Sequence, residues 1–378
     1  MKVDWLVIGA GFSGCVLAER IAKELDQKVM IIEKRDHIGG NAYDCYDAND
    51  ILVHKYGPHL FHTNSKKVWD YLSTFTEWTP YQHRVLAVVE GRKVPVPFNL
   101  NSLEILFPKT YSEKMERLLI EKYGLGSKVP ILTLKKDQQE EIRNFANYVY
   151  QNIFLGYTSK QWGMKPEELD PSVTGRVPVY ISKDDRYFQD KYQAVPKHGY
   201  TEMFRNMLKH PNIKLLLNTD IKEIEGVFGD AKKIYTGPID SYFNYKHGTL
   251  PYRSLKFNPL YYGDRETFQE TAQVNYPNDF DFTRMTEYKK ITGQNVPGTT
   301  VIIEQACPYH PEMNEPYYPI PKKEYHQLYR KYAEEAKALQ GKVFFIGRLA
   351  EYKYYNMDQV VARALHVFEK EVQPIYSD

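Results

Sequence analysis

Two rhythms of apolar positions run along this chain, and its first forty or so residues show both. Leu6, Val7 and Ile8, with Val3 just ahead, form a short apolar run that stops at glycine, which predicts a buried strand. Over residues 13–23 the rhythm changes, and Val16, Leu17, Ile21 and Ala22 fall on one face of a helix. A second apolar run, Val29–Ile32, ends at Glu33. Strand, helix and strand in that order predict a βαβ unit with parallel strands.

Beyond this unit, residues 68–75 predict a short helix. Residues 84–89 and 93–97, separated by Gly91-Arg92, predict a hairpin whose prolines belong at a sheet edge. Residues 102–106, 112–123 and 138–154 carry helical periodicity and many charges, as a helical insertion away from the first sheet would. Residues 170–179 have the proline and glycine content of a loop, with Arg176 in the middle, and 184–188 form a second, polar-aromatic loop. Residues 199–208 predict a helix. Residues 213–217, Ile221 and Ile224 predict a strand-rich stretch, and 233–235 a return to the first sheet. Short alternating runs over 240–305 predict an antiparallel sheet. An amphipathic helix at 323–338, a buried strand at 343–348 ending in Gly347-Arg348, and a helix at 358–369, N-capped by Asp358, complete the reading.

Composition narrows the function classes. The 378 residues are 42% hydrophobic and 26% charged, with a net charge of +2, which suits a globular protein of two or three domains. A balance so near neutrality gives no push toward nucleic acid or an anionic membrane. No apolar run is long enough to span a bilayer and the chain enters its first strand at once, so neither a spanning helix nor a leader is expected, and the cytoplasm is the default location. Cys15, Cys45 and Cys307 are odd in number and lack metal-ligand spacing, so neither a disulfide framework nor a zinc site is expected. The histidines around the Gly57-Pro58 turn have no carboxylate at ligand spacing, and no metal is expected there either.

The glycines after the first strand add chemistry. Gly9, Gly11 and Gly14 form G-x-G-x-x-G between strand and helix. The first allows a tight turn, the second lets backbone approach a pyrophosphate, and the third lets helix and strand pack. The helix N-terminus then offers free N–H groups to phosphate. Glu33 stands where a carboxylate accepts from a ribose 2′-OH and repels a 2′-phosphate, so NADP is disfavoured. The Gly39-Gly40 turn that follows resembles that of flavin-oxidase-like folds, and this resemblance makes FAD the expected cofactor. Farther on, Phe154, Tyr157 and Trp162 flank glycines at a predicted helix end, a candidate platform for a base.

Taken together, several stretches are similar to the UDP-galactopyranose mutase family. The most specific are Gly-Tyr-Thr-x-Lys-Gln-Trp-Gly at 156–163 and Gly-Pro-His-Leu-Phe-His-Thr at 57–63, with further matches at 38–41, 171–178, 185–188, 196–201, 316–319 and 347–358. The resemblance covers nearly the whole chain. It implies an α/β fold with a Rossmann-like FAD-binding domain (1–78, 195–240, 340–378), a helical insertion domain (99–158) and an antiparallel β-sheet domain (79–98, 159–194, 241–339). It implies a cytoplasmic homodimer that interconverts UDP-galactopyranose and UDP-galactofuranose, in galactofuranose biosynthesis. Reduced FAD would act through N5 as nucleophile at the anomeric carbon, with no net redox.

Carried onto this sequence, the family pattern makes Arg176 the mobile-loop arginine and Arg284 its fixed partner, a clamp for the diphosphate. Tyr187, Tyr318 and Tyr354 resemble the phenols on the phosphates. Phe154, Tyr157 and Trp162 resemble the uridine pocket, and Thr158 and Asn275 are further substrate contacts. His62 resembles the histidine beside the flavin. Gly9, Gly11, Ser13, Gly14, Glu33, Lys34, Gly40, Asn41, His59 and Leu60 match cofactor contacts, as do Arg348, Tyr355, Asn356, Met357 and Asp358 at the isoalloxazine end. Two positions depart from the pattern. Asn356 is neutral where many members carry an acid, and His83 stands where several have asparagine, leaving one sugar or uridine contact open. An amine or carotenoid oxidase would share the fingerprint but would need an apolar site, and a non-catalytic protein on the same fold would hold no flavin.

Overall fold

The early apolar runs lie at the centre of a five-stranded parallel sheet in the computed structural model, which describes residues 3–175, 177–224, 226–311 and 313–376. Its order is Ile213–Leu216, Val29–Ile32, Trp5–Ile8, Lys232–Tyr235, Val343–Phe345. Trp5 and Val7 are fully buried, and helix Phe12–Leu25 packs beside them with the last helix, Met357–Val367, in one core. The strand order reverses at Trp5–Ile8, so the carboxyl end of that strand opens a crevice, the usual ligand position of an open α/β sheet. Residues 221–224, expected to be strand-rich, form a 3-10 turn. The sheet already ends at Ile213–Leu216, where Leu215 and Leu216 are exposed, and offers no partner beyond it.

A second sheet has seven strands, in the order Tyr318–Pro319, Tyr252–Tyr262, Thr299–Pro308, Arg284–Glu287, Gln273–Asn275, Val85–Val89, Arg92–Val96. The hairpin strand that carries Pro95, Arg92–Val96, lies at the edge, where a missing N–H costs no ladder bond. The expected antiparallel pattern has one exception: Gln273–Asn275 runs parallel to Val85–Val89. These two segments are far apart in sequence, so no tight turn forces them to oppose. Ala87, Asn275, Arg284 and Glu304 stand opposite one another on successive strands. Paired residues share a face, so this row forms one polar floor.

The helical segment packs over the hairpin, with Leu103, Met115, Leu119, Ile142 and Phe145 buried against Val85 and Val94. Its last helix does not stop near residue 154 as expected. Helix Glu140–Val149 loosens into a π-helical stretch, Tyr150–Leu155, and continues as helix Gly156–Trp162 to a left-handed Gly163. Gly156 is there because of packing: a Cβ would lie 2.3 Å from the Pro277 carbonyl oxygen. A short helix, Pro171–Gly175, replaces part of the expected loop, with proline at its favoured first position. The last helix is N-capped by Asn356, not Asp358. Asn356 forms a capping box with Gln359, whose side chain accepts from the Asn356 N–H at 2.9 Å. Asp358 instead accepts from the Thr63 hydroxyl at 3.0 Å. Among the described residues no helix is long and apolar enough to cross a membrane.

Candidate active site

At the carboxyl ends of the parallel strands lies a cavity of about 740 Å³. Gly9, Gly11, Ser13, Glu33, Lys34, Gly40, Asn41, His59, Arg348 and Met357 line it. Its floor is backbone. Gly39 and Gly40 have φ of 90° and 55°, and the Gly39 N–H donates to the Ala10 carbonyl at 2.8 Å. A Cβ on Gly40 would lie 2.9 Å from Gly11 Cα, so Gly40 admits no side chain without displacing the backbone at Gly11. Gly14 lies outside the lining and serves packing, since its Cβ would meet the Gly9 carbonyl at 2.0 Å. Glu33 is buried and braces the loop, accepting from the Ala10 N–H at 2.8 Å and the Arg35 N–H at 3.0 Å. Each of its oxygens keeps a lone pair for a hydroxyl. Glu315 reaches to the same wall and pairs with Arg35 at 2.9 Å and Lys34 at 3.1 Å. Burial would raise the Glu315 carboxyl, but the two cations outweigh it and hold it below its ordinary value.

A second cavity, of about 620 Å³, meets the first, and His59, Arg348 and Met357 line both. Around it stand His62, Phe154, Tyr157, Thr158, Trp162, Tyr187, Asn275, Arg284, Tyr318 and Tyr354, with Leu60 and Asn356. Arg176 lies outside the described residues. Tyr355 and Asp358 lie outside both linings. Tyr355 contributes its carbonyl, which accepts from Arg348 Nη2 at 2.7 Å.

Arg284 dominates the electrostatics. It begins a central strand and pairs with buried Glu304 on the next strand at 2.7 Å. Burial works against the guanidinium charge, yet Glu304 outweighs it and the arginine is held well above its ordinary value. Tyr318 and Tyr354 stack with centroids 5.2 Å apart, and Arg348 lies 5.4 and 5.3 Å from their rings. Burial pushes the Tyr157 and Tyr318 phenols up, so both remain protonated donors. The predicted aromatic platform is divided. Trp162 packs with Leu169 and Ile320 beside Tyr318 and Tyr354, whereas Phe154 belongs to the core of the helical segment. His62 stacks on Phe188 at 3.6 Å and meets the Asp190 carboxylate through Nδ1 at 2.9 Å.

Glu304, Gln273 and Asp190 were not among the candidate residues read from the sequence, and Phe188 was read only as part of the loop 184–188. Glu304 carried one signal, a lone acid at the end of the apolar run 300–304. Gln273 and Asp190 carried none, because their roles depend on strand register and on a loop-to-strand contact. Lys160, within the specific 156–163 motif, is structural: its ammonium donates to the Tyr276 carbonyl at 2.8 Å.

Comparison with known proteins agrees with this geometry. The family profile for UDP-galactopyranose mutase matches residues 152–354, and one for an NAD(P)-binding Rossmann-like domain matches residues 7–75. The chain is 38% identical over 365 residues to a probable UDP-galactopyranose mutase from Klebsiella pneumoniae, covering 95% of this chain and 92% of that one. It is 34% identical to a dTDP-fucopyranose mutase from Escherichia coli, covering 95% of this chain and 96% of that one. A crystal structure of reduced UDP-galactopyranose mutase shares the fold, with a TM-score of 0.72 at 16% identity, over 100% of this chain and 95% of that one.

Proposed function

The chain belongs to the UDP-galactopyranose mutase family, and from that membership we infer that it is an isomerase interconverting UDP-galactopyranose and UDP-galactofuranose. The observation that carries this reading is the junction of the two cavities. A backbone-floored, glycine-lined site for a dinucleotide opens, at His59, Arg348 and Met357, into a site lined by an arginine and phenols.

The first cavity suits FAD. Gly9, Gly11, Gly40 and the N-terminus of helix Phe12–Leu25 would take the diphosphate, Glu33 a ribose hydroxyl, and Arg348 with the Asn356-Met357 turn the ring end. Reduced FAD bound there would supply N5 as nucleophile at the anomeric carbon, so that the interconversion needs no net redox. The protein's own task is to hold the diphosphate while its bond to the sugar breaks and re-forms. Arg284, fixed by Glu304, is placed in advance for one side of that group, and Arg176 would take the other. Charged hydrogen bonds of this kind contribute roughly 1.5–3 kcal/mol each. Tyr318, protonated because it is buried, donates to a phosphate oxygen, with Tyr187 and Tyr354 beside it. Phe154 and Tyr157 offer faces to the base, and Trp162 closes the side next to the phenols. His62, whose Nδ1 meets the Asp190 carboxylate, lines the same cavity and would stand beside the reacting sugar.

On this reading the parallel sheet with its helices is the cofactor domain, 99–158 the helical domain, and the seven-stranded sheet the platform between them, in a cytoplasmic homodimer. The test is incubation of the dithionite-reduced protein with UDP-galactofuranose and separation of the products. UDP-galactopyranose is expected, and unchanged substrate rejects the reading. The 34% identity to a dTDP-fucopyranose mutase favours one second reading, a dTDP-6-deoxy sugar in the same site. Parallel incubation with dTDP-fucopyranose decides between them by kcat/KM.

A further inference from the structure

The wall of the substrate cavity holds a row of neutral polar groups that the charge-handling residues leave unexplained. Side chains two apart on a strand share a face, so Gln273 and Asn275 lie on the same face as Arg284, the partner of Asn275 in register. His83 arrives at this wall two residues before Val85, which pairs with Gln273. His83, Gln273 and Asn275 are all buried and all line the cavity.

Each group has one orientation. Burial keeps the His83 imidazole neutral, with a pKa of about 3, so one ring nitrogen donates and the other accepts. Nδ1 meets the Tyr81 hydroxyl at 3.0 Å, and the Gln273 side chain, on the same cavity wall, acts on the ring as a hydrogen-bond acceptor would, favouring its protonated form. Gln273 Nε2 donates to Asn275 Oδ1 at 2.9 Å. Gln273 Oε1 faces Arg284 Nη1 at 3.5 Å, the outer limit of a hydrogen bond, and a guanidinium can only donate. Turning the Gln273 amide over would set N–H against N–H on the arginine side and oxygen against oxygen on the asparagine side. The imidazole N–H therefore donates to Gln273 Oε1, and Nδ1 accepts from Tyr81. This polarity ends at Asn275. Its oxygen is engaged, and among the described residues its two N–H groups make no hydrogen bond.

We propose that Tyr81, His83 and Gln273 are positioning residues, a one-way hydrogen-bonded relay that presents the Asn275 N–H groups to the sugar of the nucleotide-sugar substrate. The inference rests on the mutase reading above. The sugar is the target because the relay lies at the cofactor end of the cavity. His83 and Phe188 have ring centroids 6.3 Å apart, and Phe188 stacks on His62. Arg284 and Arg348 both act on the charge state of His59, which lines both cavities. The transferred group has to sit at that junction. A wall that can only donate selects an oxygen lone pair and disfavours a methyl group, which would leave a buried N–H unanswered.

The experiment measures kcat and KM of the reduced holoenzyme for UDP-galactofuranose, with the Kd of UDP alone, in Gln273→Met, His83→Phe, Asn275→Asp and Gln273→Met/Asn275→Asp. Each single variant is expected to lower kcat/KM about tenfold, as loss of one well-aligned hydrogen bond does. The Kd of UDP should stay within about twofold and flavin content should be unchanged. The double variant should be no worse than its weaker single, because the members act as one unit. Multiplying losses in the double variant, or a loss of UDP affinity in step with kcat/KM, overturns the relay. An active parent with unaffected variants overturns the relay and leaves the mutase reading standing. A parent that binds UDP but never turns over removes that reading and this inference with it.

Discussion

A buried carboxylate needs a cation, and the cost of separating the two shows what each does. Glu304 is 2% exposed and its partner Arg284 faces the cavity. Removing one member of such a pair leaves an uncompensated buried charge and destabilises by about 3–5 kcal/mol. Glu304→Ala is therefore expected to unfold at clearly lower urea concentration than the parent. UDP should restore more stability to the variant than it adds to the parent, because its diphosphate gives Arg284 a new counter-charge. Equal gains from UDP in the two proteins would show that Arg284 does not meet the phosphates. At the last helix the capping role of Asn356 makes a milder expectation. Aspartate caps as well as asparagine, so Asn356→Asp should change turnover less than about tenfold, whereas Asn356→Ala should cost about 1 kcal/mol of stability. A large gain in turnover on Asn356→Asp would show that a carboxylate is used there. Single residues were legible in the sequence where their reason was local. Gly9, Gly11, Gly14 and Glu33 are set by the spacing of one βαβ unit. Glu304 was not legible, because what gives it a purpose is Arg284, twenty residues away and adjacent only through the register of two strands.

Elements carry the second kind of constraint, in which one segment's composition answers another's position. The helix bearing Tyr157 and Trp162 begins at Gly156, pressed against the Pro277 carbonyl, and ends where Arg253 donates to the Gln161 and Lys160 carbonyls at 2.8 and 3.1 Å. The Arg253 contact fixes the helix to the seven-stranded sheet, and the Pro277 contact fixes it to the loop between the strands that carry Asn275 and Arg284. Gly156→Ala removes a flexible residue from a helix, which alone would stabilise by up to about 1 kcal/mol. Here the added methyl has backbone on the other side and cannot be accommodated by a rotamer change. Overpacking of about 1–3 kcal/mol should win, lowering the melting temperature and weakening UDP binding together. A more stable variant with unchanged UDP affinity would mean that the helix is not held by this contact. Periodicity found the helices and most strands but misjudged this junction, since Gly156 reads as a helix end unless the Pro277 segment is in view. The parallel pairing of Gln273–Asn275 with Val85–Val89 was hidden for the same reason, for no local pattern states which distant strand will be the neighbour.

At the scale of the whole molecule, folding builds the two cavities by burying titratable rings. His54 and His83 are buried and His59 is half-buried between the two cavities, and desolvation lowers all three, to pKa values of about 3 against an ordinary 6.5. Between those two values the unfolded chain binds protons at these rings that the folded chain refuses. Stability must therefore rise with pH across that window, by up to about 1.4 kcal/mol per pH unit for each ring. Above the ordinary value all three rings are neutral in both states and the contribution is flat. Asp44 and Asp240, which burial pushes up, oppose the trend only within the carboxylate range. Urea unfolding of the holoprotein should thus be level from about pH 8 to 7, then fall by roughly 4 kcal/mol per pH unit below about pH 6. His54→Asn, whatever its effect at neutral pH, should reduce that slope by up to about 1.4 kcal/mol per pH unit, because one proton site is gone while His59, His83 and the likewise lowered His37 remain. A stability unchanged between about pH 7 and 5 would show that these rings charge freely in the folded state. Because His59 and His83 line the second cavity as neutral rings, they can donate and accept in fixed directions without changing charge. Loss of turnover on mild acidification should therefore follow loss of the fold, and the two midpoints should coincide.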